Sequence, residues 1–358
     1  MMSRIERIVY QDSIPDSFFE IPEKIYGKSL VKPMEEAEAI RSLFEMEAAH
    51  HDIIIYTDHE HFRLTGIFPK KAANAYFGFW ESMDDQKLHT EAFGLLKNDA
   101  LKKGSLSLTG PINFNTFQPN RLRVGDVPSW GMFDKEPVNP GYYPDLLSAI
   151  GFREKLTYET RLIFRKNLPA LFASKDSFVK TIGQIPFDFI TLNPENWALY
   201  AHDIFELMHL IFKANPFYKA ISYEQFQLIY SDQFSEKLCP HSSLLVRDQE
   251  SGQLVAISLC QPNYHALYPL IKEPHFIRDF EKLPHKTLMA KTFGVHPDFR
   301  RQGLLNYMGA YGMTSLIEGI YEDVLVCLMR SDNYSAHFSN HVPYESAKYA
   351  LYEKILRD

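Results

Sequence analysis

The feature that most constrains this chain is Lys291–Gly312, KTFGVHPDFRRQGLLNYMGAYG, where an apolar run meets a turn, two arginines and a glycine, then helix-forming residues. Leu288–Val295 predicts a strand, Gln302–Ile320 a helix and Val324–Met329 a second strand. Strand, helix and strand in this order imply a crossover between neighbouring parallel strands, so this part of the chain belongs to an α/β layer.

The turn has chemistry of its own. The first amides of a helix lack intrahelical partners, and the helix dipole puts partial positive charge beside them, so this is where a protein can hold a phosphate. Gly303 lets the backbone approach closely, and Arg300 and Arg301 add charge. The plain alternative, a helix start with solvated arginines, would not require strand, glycine and helix to agree.

At these residues the chain resembles the GNAT superfamily of acyltransferases. Its acyl-CoA signature, R/Q-x-x-G-x-G/A, follows a strand ending in a V-x-P-like turn. The match is Val295-His296-Pro297, then Arg300-Arg301-Gln302-Gly303-Leu304-Leu305, with Leu305 where the signature has Gly or Ala. The resemblance implies that the backbone of Phe293, Gly294 and Val295 pairs with the pantetheine arm of acetyl-CoA or another acyl-CoA, and that the amides of Arg301–Leu305 cap the pyrophosphate. MRSDNYSAHFSN resembles the family's next strand and its Asn-x-x-Ala helix, which makes Asn333 a cofactor contact, with Ala336 matching. The resemblance extends over Asn193–Asp358, with KYALYEKIL as the closing strand.

The first half is similar to the N-terminal half of bacterial proteins that carry two GNAT-like modules, through YFGFWESMDDQKLHTEAFGLLKNDALKKGSLSLTGPINF and PVNPGYYPDLLSAIGF. It has no R-x-x-G-x-G/A at the corresponding junction, so no CoA is expected there. The aromatics Trp130, Phe133, Tyr142 and Tyr143 would suit the wall of an acceptor pocket, or plain core. The fold class is thus α/β (α+β), two GNAT-like modules, each a mixed, mostly antiparallel sheet flanked by helices, with a splayed parallel pair at the C-terminal cofactor site. A composition change in KNLPALFASKDSFVKTIGQIP places a linker at 166–186 between a degenerate domain at 1–165 and an acyl-CoA-binding domain at 187–358.

The activity so implied is N-acyl transfer from acyl-CoA to a small-molecule amine or a peptide. The family's usual tyrosine acid would fall near Asn340 or His341. Tyr334 and Tyr344 are the nearest candidates. For the base, a water chain, Glu345, His265 and the terminal carboxylate of Asp358 stay open. Two rival readings are a CoA-binding or small-ligand sensor without turnover, and transfer of an aminoacyl group from tRNA. A formal charge of −7 and the absence of basic blocks argue against nucleic acid.

With 358 residues, two domains are the natural division. The three cysteines have no metal-ligand or disulfide-framework spacing, which points to a reducing, cytoplasmic setting without a structural metal. Neither a signal peptide nor a membrane span is expected. Asp58-His59-Glu60-His61, placed on a strand, reads as solvated charge rather than a metal site. Cys260 and Cys327 read as buried, inert thiols.

Overall fold

The computed structural model describes residues 4–27, 36–171, 175–317 and 319–356, apart from the side chains of 175, 313–315, 317, 334 and 335. In chain order the first elements are β1 (Glu6–Val9), α1 (Ser17–Tyr26), α2 (Ala37–Ala48), β2 (His51–Thr57), β3 (Phe62–Pro69), β4 (Asn74–Ser82), α3 (Gln86–Lys102), β5 (Ser107–Gly110), β6 (Leu122–Val124), α4 (Tyr143–Ala149) and β7 (Arg153–Phe164). Then come α5 (Leu168–Leu171), α6 (Lys175–Thr181), β8 (Phe187–Thr191), α7 (Pro194–Phe212), α8 (Tyr223–Ile229), α9 (Asp232–Glu236), β9 (Leu244–Asp248), β10 (Leu254–Pro262), α10 (Phe276–Asp279), β11 (Thr287–Val295), α11 (Leu304–Ile317), β12 (Asp323–Arg330) and β13 (Glu345–Ile355).

Two compact units result, and neither is continuous in sequence. Unit 1 is Met1–Asp126, Pro137–Thr157 and Lys348–Asp358; unit 2 is Val127–Glu136 and Tyr158–Ala347. The division therefore falls inside β7, while 166–186, expected as a linker, holds α5, α6 and short 3-10 turns. The strand expected to close the second module lies mainly in unit 1, where Tyr352–Ile355 pairs with β5 and Lys348–Ala350 with β6. Local sequence cannot reveal this, because an alternating strand carries no label for its partner.

In unit 1, β1 to β4 form an antiparallel run, β4 pairs β5 in parallel, and β5 pairs β13 antiparallel. Period-two alternation builds a core on each face of this sheet. Ile54 and Tyr56 of β2 join α3 residues such as Phe93 and Leu96, whereas Ile53 and Ile55 join Phe18 of α1 and Phe44 of α2. In unit 2 the order is β7-β12-β11-β10-β9-β8, antiparallel except for the pair β11–β12. Each unit is a mixed, mostly antiparallel sheet flanked by helices, with one parallel pair.

Local signals act as chemistry dictates. Asn193 and Asn196 form a capping box at the start of α7, with Pro194 in the first turn. Asp58–His61, placed on a strand by its pattern, is instead the turn of the β2–β3 hairpin. There the Asp58 carboxylate accepts the amides of Glu60, His61 and Phe62, at 3.0, 2.7 and 2.8 Å. The strand within SLSLTGPINF runs over Ser107–Gly110 and stops at Gly110-Pro111, as the Gly-Pro pair predicts. Among the described residues no group of His, Cys, Asp and Glu could hold a metal ion, and no helix is long and apolar enough to cross a membrane. All three cysteines are free and buried, and burial pushes the Cys260 thiol up to about 12.

Candidate active site

The parallel pair of unit 2 separates partway along its length. β11 and β12 pair from Thr287 opposite Asp323 to Ala290 opposite Val326, after which both strands continue without pairing to each other. The cause is an irregularity in each strand at that point. Against β10, Leu259 faces Thr292 and Cys260 faces Ala290, which leaves Lys291 as the extra residue of a β-bulge. Against β7, the register of β12 slips between Val326 and Met329, with Leu328 at φ +51° donating its amide to Thr160 Oγ1 at 3.0 Å. A bulge bends its strand, and two bulges at one level part the pair. Phe293, 41% exposed, lies on the freed stretch. Gly294 answers to packing: a Cβ there would stand 2.5 Å from Ile211 Cγ2, so its glycine lets α7 lie close on β11.

Just beyond β11, a 3-10 turn over Pro297–Phe299 leads to α11. Arg301 and Gly303 both have φ +75°, which is free for glycine and strained for arginine. The Gly303 carbonyl accepts the Asn306 amide at 2.9 Å, starting the helix. Among the described residues, nothing in the fold accepts the amides of Arg301, Gln302, Gly303, Leu304 and Leu305. A glycine turn with open amides at a helix start suits a pyrophosphate.

The side chains around this turn divide into two groups. Arg300 reaches backward, with Nε 3.3 Å from the Val295 carbonyl and Nη2 3.3 Å from that of Ile211, and so ties β11 to the end of α7. Arg301 and Gln302 are exposed. Leu304 is buried, and Leu305 packs against the cluster of Phe187, Val246 and Met308.

Of the remaining expected residues, Asn333 is exposed in the turn after β12, donating its amide to the Arg330 carbonyl at 3.0 Å and accepting that of Ala336 at 3.0 Å. Tyr334 begins a 3-10 helix, and its side chain lies outside the described residues, as does Asp358. The ring of Tyr344 lies 4.2 Å from the guanidinium of buried Arg161, which also donates to the Ala336 carbonyl, Ser339 Oγ and Asn340 Oδ1. Glu345 accepts the Ser129 amide at 2.7 Å. Tyr142 and Tyr143 belong to the core of unit 1, whereas Trp130 and Phe133 pack beside β11 and β12 in unit 2, with Met289, Leu325 and Cys327.

Sequence reading missed two features at the bulge. Tyr230, after α8, lies near the side chain of Thr292, and burial pushes its phenol up to about 12. Val127–Glu136 folds with unit 2 although it is encoded in the first half. Lys291 Nζ donates to the Asp134 carbonyl at 2.7 Å, and Asn263 Nδ2 to that of Met132 at 2.9 Å. Neither segment carries a recognisable motif.

No protein-family model matches the chain, and no curated protein matches it in sequence. Solved structures do. A tandem GNAT protein from the clavulanic acid biosynthesis pathway superposes over 99% of both chains, with a TM-score of 0.50 and 9% identity. A conserved protein of Enterococcus faecalis described as a probable N-acyltransferase is similar over 98% of this chain and 73% of its own, with a TM-score of 0.53 and 8% identity. A GCN5-related glucosamine N-acetyltransferase region of a fungal multi-domain β-N-acetylglucosaminidase gives a TM-score of 0.53 at 14% identity, over 98% of this chain and 38% of that one. The chain therefore has the GNAT N-acetyltransferase fold.

Proposed function

We propose that this protein is an acyl-CoA-dependent N-acyltransferase whose donor, acetyl-CoA or another acyl-CoA, binds to unit 2. The observation that carries the reading is the parting of β11 from β12 at paired bulges, followed by an uncapped glycine turn at the start of α11. In this reading the freed edge of Thr292–Val295 pairs with the amide-bearing pantetheine arm. The amides of Arg301–Leu305 receive the pyrophosphate, with Arg301 and Asn333 supplying side-chain contacts. The division of labour follows the 1–165, 166–186 and 187–358 organisation only coarsely, since residues 127–136 belong to the same compact unit as the donor site.

Amine attack on a thioester releases one proton from the amine and places one on the leaving sulfur. Bringing the two reactants together beside the bulge supplies much of the rate gain. Tyr230, whose raised phenol keeps its proton at neutral pH, is the candidate for giving it to sulfur. Tyr344, stacked on Arg161, is better suited to fixing the turn after β12.

Calorimetry of acetyl-CoA with wild type and Gly303→Glu tests the donor site. A carboxylate at the helix start should repel the pyrophosphate and weaken binding by about a hundredfold. Equal affinity in the two proteins would refute the site. Thiol release from acetyl-CoA with pooled amines then separates a transferase from a protein that binds donor without turnover.

A further inference from the structure

The edge of the unit 1 sheet has a notch. β1 pairs with β2 only from Glu6 opposite Thr57 to Val9 opposite Ile54, so His51–Ile53 runs on past the end of its neighbour. The Tyr10 amide reaches the Ile53 carbonyl at 3.0 Å, and the chain bends away at Gln11 and Asp12. A hollow of about 470 Å³ is left there, with Val9, Tyr10, Ile53 and Ile54 as its apolar lining and Ala48 at the end of α2.

Three cations line this hollow, Arg7, Lys70 and Lys103, against the one carboxylate of Asp52. His51, which also lines it, is paired with buried Glu47 at 3.1 Å. Arg7 Nε donates to Asp99 Oδ2 at 2.6 Å, and the same carboxylate oxygen accepts the Tyr56 hydroxyl at 2.8 Å. The guanidinium is thereby fixed, while among the described residues Nη1 and Nη2 have no partner. Lys70 Nζ donates to the Ala48 and Ala49 carbonyls at 3.0 and 3.2 Å, and among the described residues no carboxylate pairs with it. Lys103 is paired with Asp52 at 2.5 Å. Past Tyr10, Gln11 and Ala48, which line both, the notch continues into a second hollow of about 300 Å³. Its charge has the other sign: Asp12 and Glu45 have no ion-pair partner among the described residues, whereas Arg41 is bound to Asp16 at 3.0 Å.

An anion in the first hollow would accept hydrogen bonds from a guanidinium and an ammonium that the fold has already immobilised, so little side-chain entropy is lost on binding. The apolar lining suits a body attached to that anion, and the acidic second hollow repels a further negative charge. We infer that this notch binds a small organic anion, an apolar or aromatic body carrying one carboxylate or one phosphate. Every residue of the site belongs to unit 1, so the inference does not depend on the donor reading of unit 2.

The test is calorimetric titration of the full chain carrying Gly303→Glu, which keeps phosphate at the proposed donor turn out of the readout. The ligands are octanoate, 3-phenylpropionate and phenyl phosphate. Each is set against its neutral counterpart, octanamide, 3-phenylpropionamide or phenol, and against acetate and inorganic phosphate, which lack the body. At least one of the three should bind about tenfold or more tightly than both its neutral and its bodiless counterpart. Lys70→Gln should weaken it by about tenfold, and Lys70→Arg should restore most of the loss. Ala48→Phe, which leaves every charge in place and fills the joint between the two hollows, should weaken it as well. The carboxylate and phosphate arms decide which anion the notch prefers. The inference is overturned if none of the three anions binds, if the neutral forms bind equally well, or if either Lys70→Gln or Ala48→Phe, with its melting temperature unchanged, binds like its parent.

Discussion

The two units carry the same local construction to opposite ends. In each, three antiparallel strands lead to a bulge, a helix and a parallel strand: β2-β3-β4, α3 and β5 in unit 1, and β9-β10-β11, α11 and β12 in unit 2. In unit 1 the helix start is closed. The Asp85 carboxylate accepts the amides of Lys87 and Leu88 at 2.9 and 3.0 Å, placing negative charge where unit 2 has Arg301 and Gly303. The edge beyond the parallel pair is closed too: Ile112 donates its amide to the Phe77 carbonyl at 2.8 Å, and Asn113 Oδ1 accepts the Phe79 amide at 2.7 Å. Unit 1 fills with its own chain the edge that unit 2 leaves free. Unit 1 thus keeps the same construction with two local differences, a capping carboxylate and a return of the chain along the edge.

The largest expected effect concerns His89, buried between Trp80 and Phe93 with neither ring nitrogen hydrogen-bonded among the described residues. Desolvation lowers its pKa to about 3. Between there and the ordinary value near 6.5 the unfolded chain binds a proton that the folded chain refuses, so stability falls as pH drops through this window, by on the order of 4 kcal/mol in total. Acid unfolding should begin in unit 1, followed by Trp80 fluorescence in a Trp130→Phe, Trp197→Phe background, and His89→Leu should move the transition to lower pH. Simultaneous loss of both units at an unchanged pH would erase this difference between them.

Next in size is Gly78→Ala, whose Cβ would stand 2.5 Å from the Ile112 carbonyl oxygen and 2.8 Å from Asn113 Oδ1. It should destabilise the protein by about 1–3 kcal/mol and speed hydrogen exchange at the Phe79 amide, by forcing open the edge that unit 1 closes. Asp85→Ala should cost roughly 1 kcal/mol in thermal unfolding, as loss of an N-cap does, without creating acetyl-CoA binding, because the edge stays filled. Were binding to appear, the cap alone would account for the difference between the units.

Much of this was legible in the residues. The apolar run to Val295, the Gly303 turn and the helix after it set out the crossover unit, because period, glycine and orphan amides act over a few residues. Asp58–His61 was misplaced because alternating charge looks the same in a strand and in a tight turn until the Asp58 carboxylate finds its three amides.

What only the tertiary structure decided is the pairing of distant segments. The positions of β13 in unit 1 and of Val127–Glu136 in unit 2 depend on edges and gaps contributed by residues far along the chain, as does the contact of Tyr230 with Thr292. So does the need for glycine at 294, where a Cβ would stand 2.5 Å from Ile211 Cγ2. Short-range chemistry shaped each element and its termini; what surrounds the bulge of β11 depends on which elements meet, and free energy of that kind is shared among segments that no window of sequence contains.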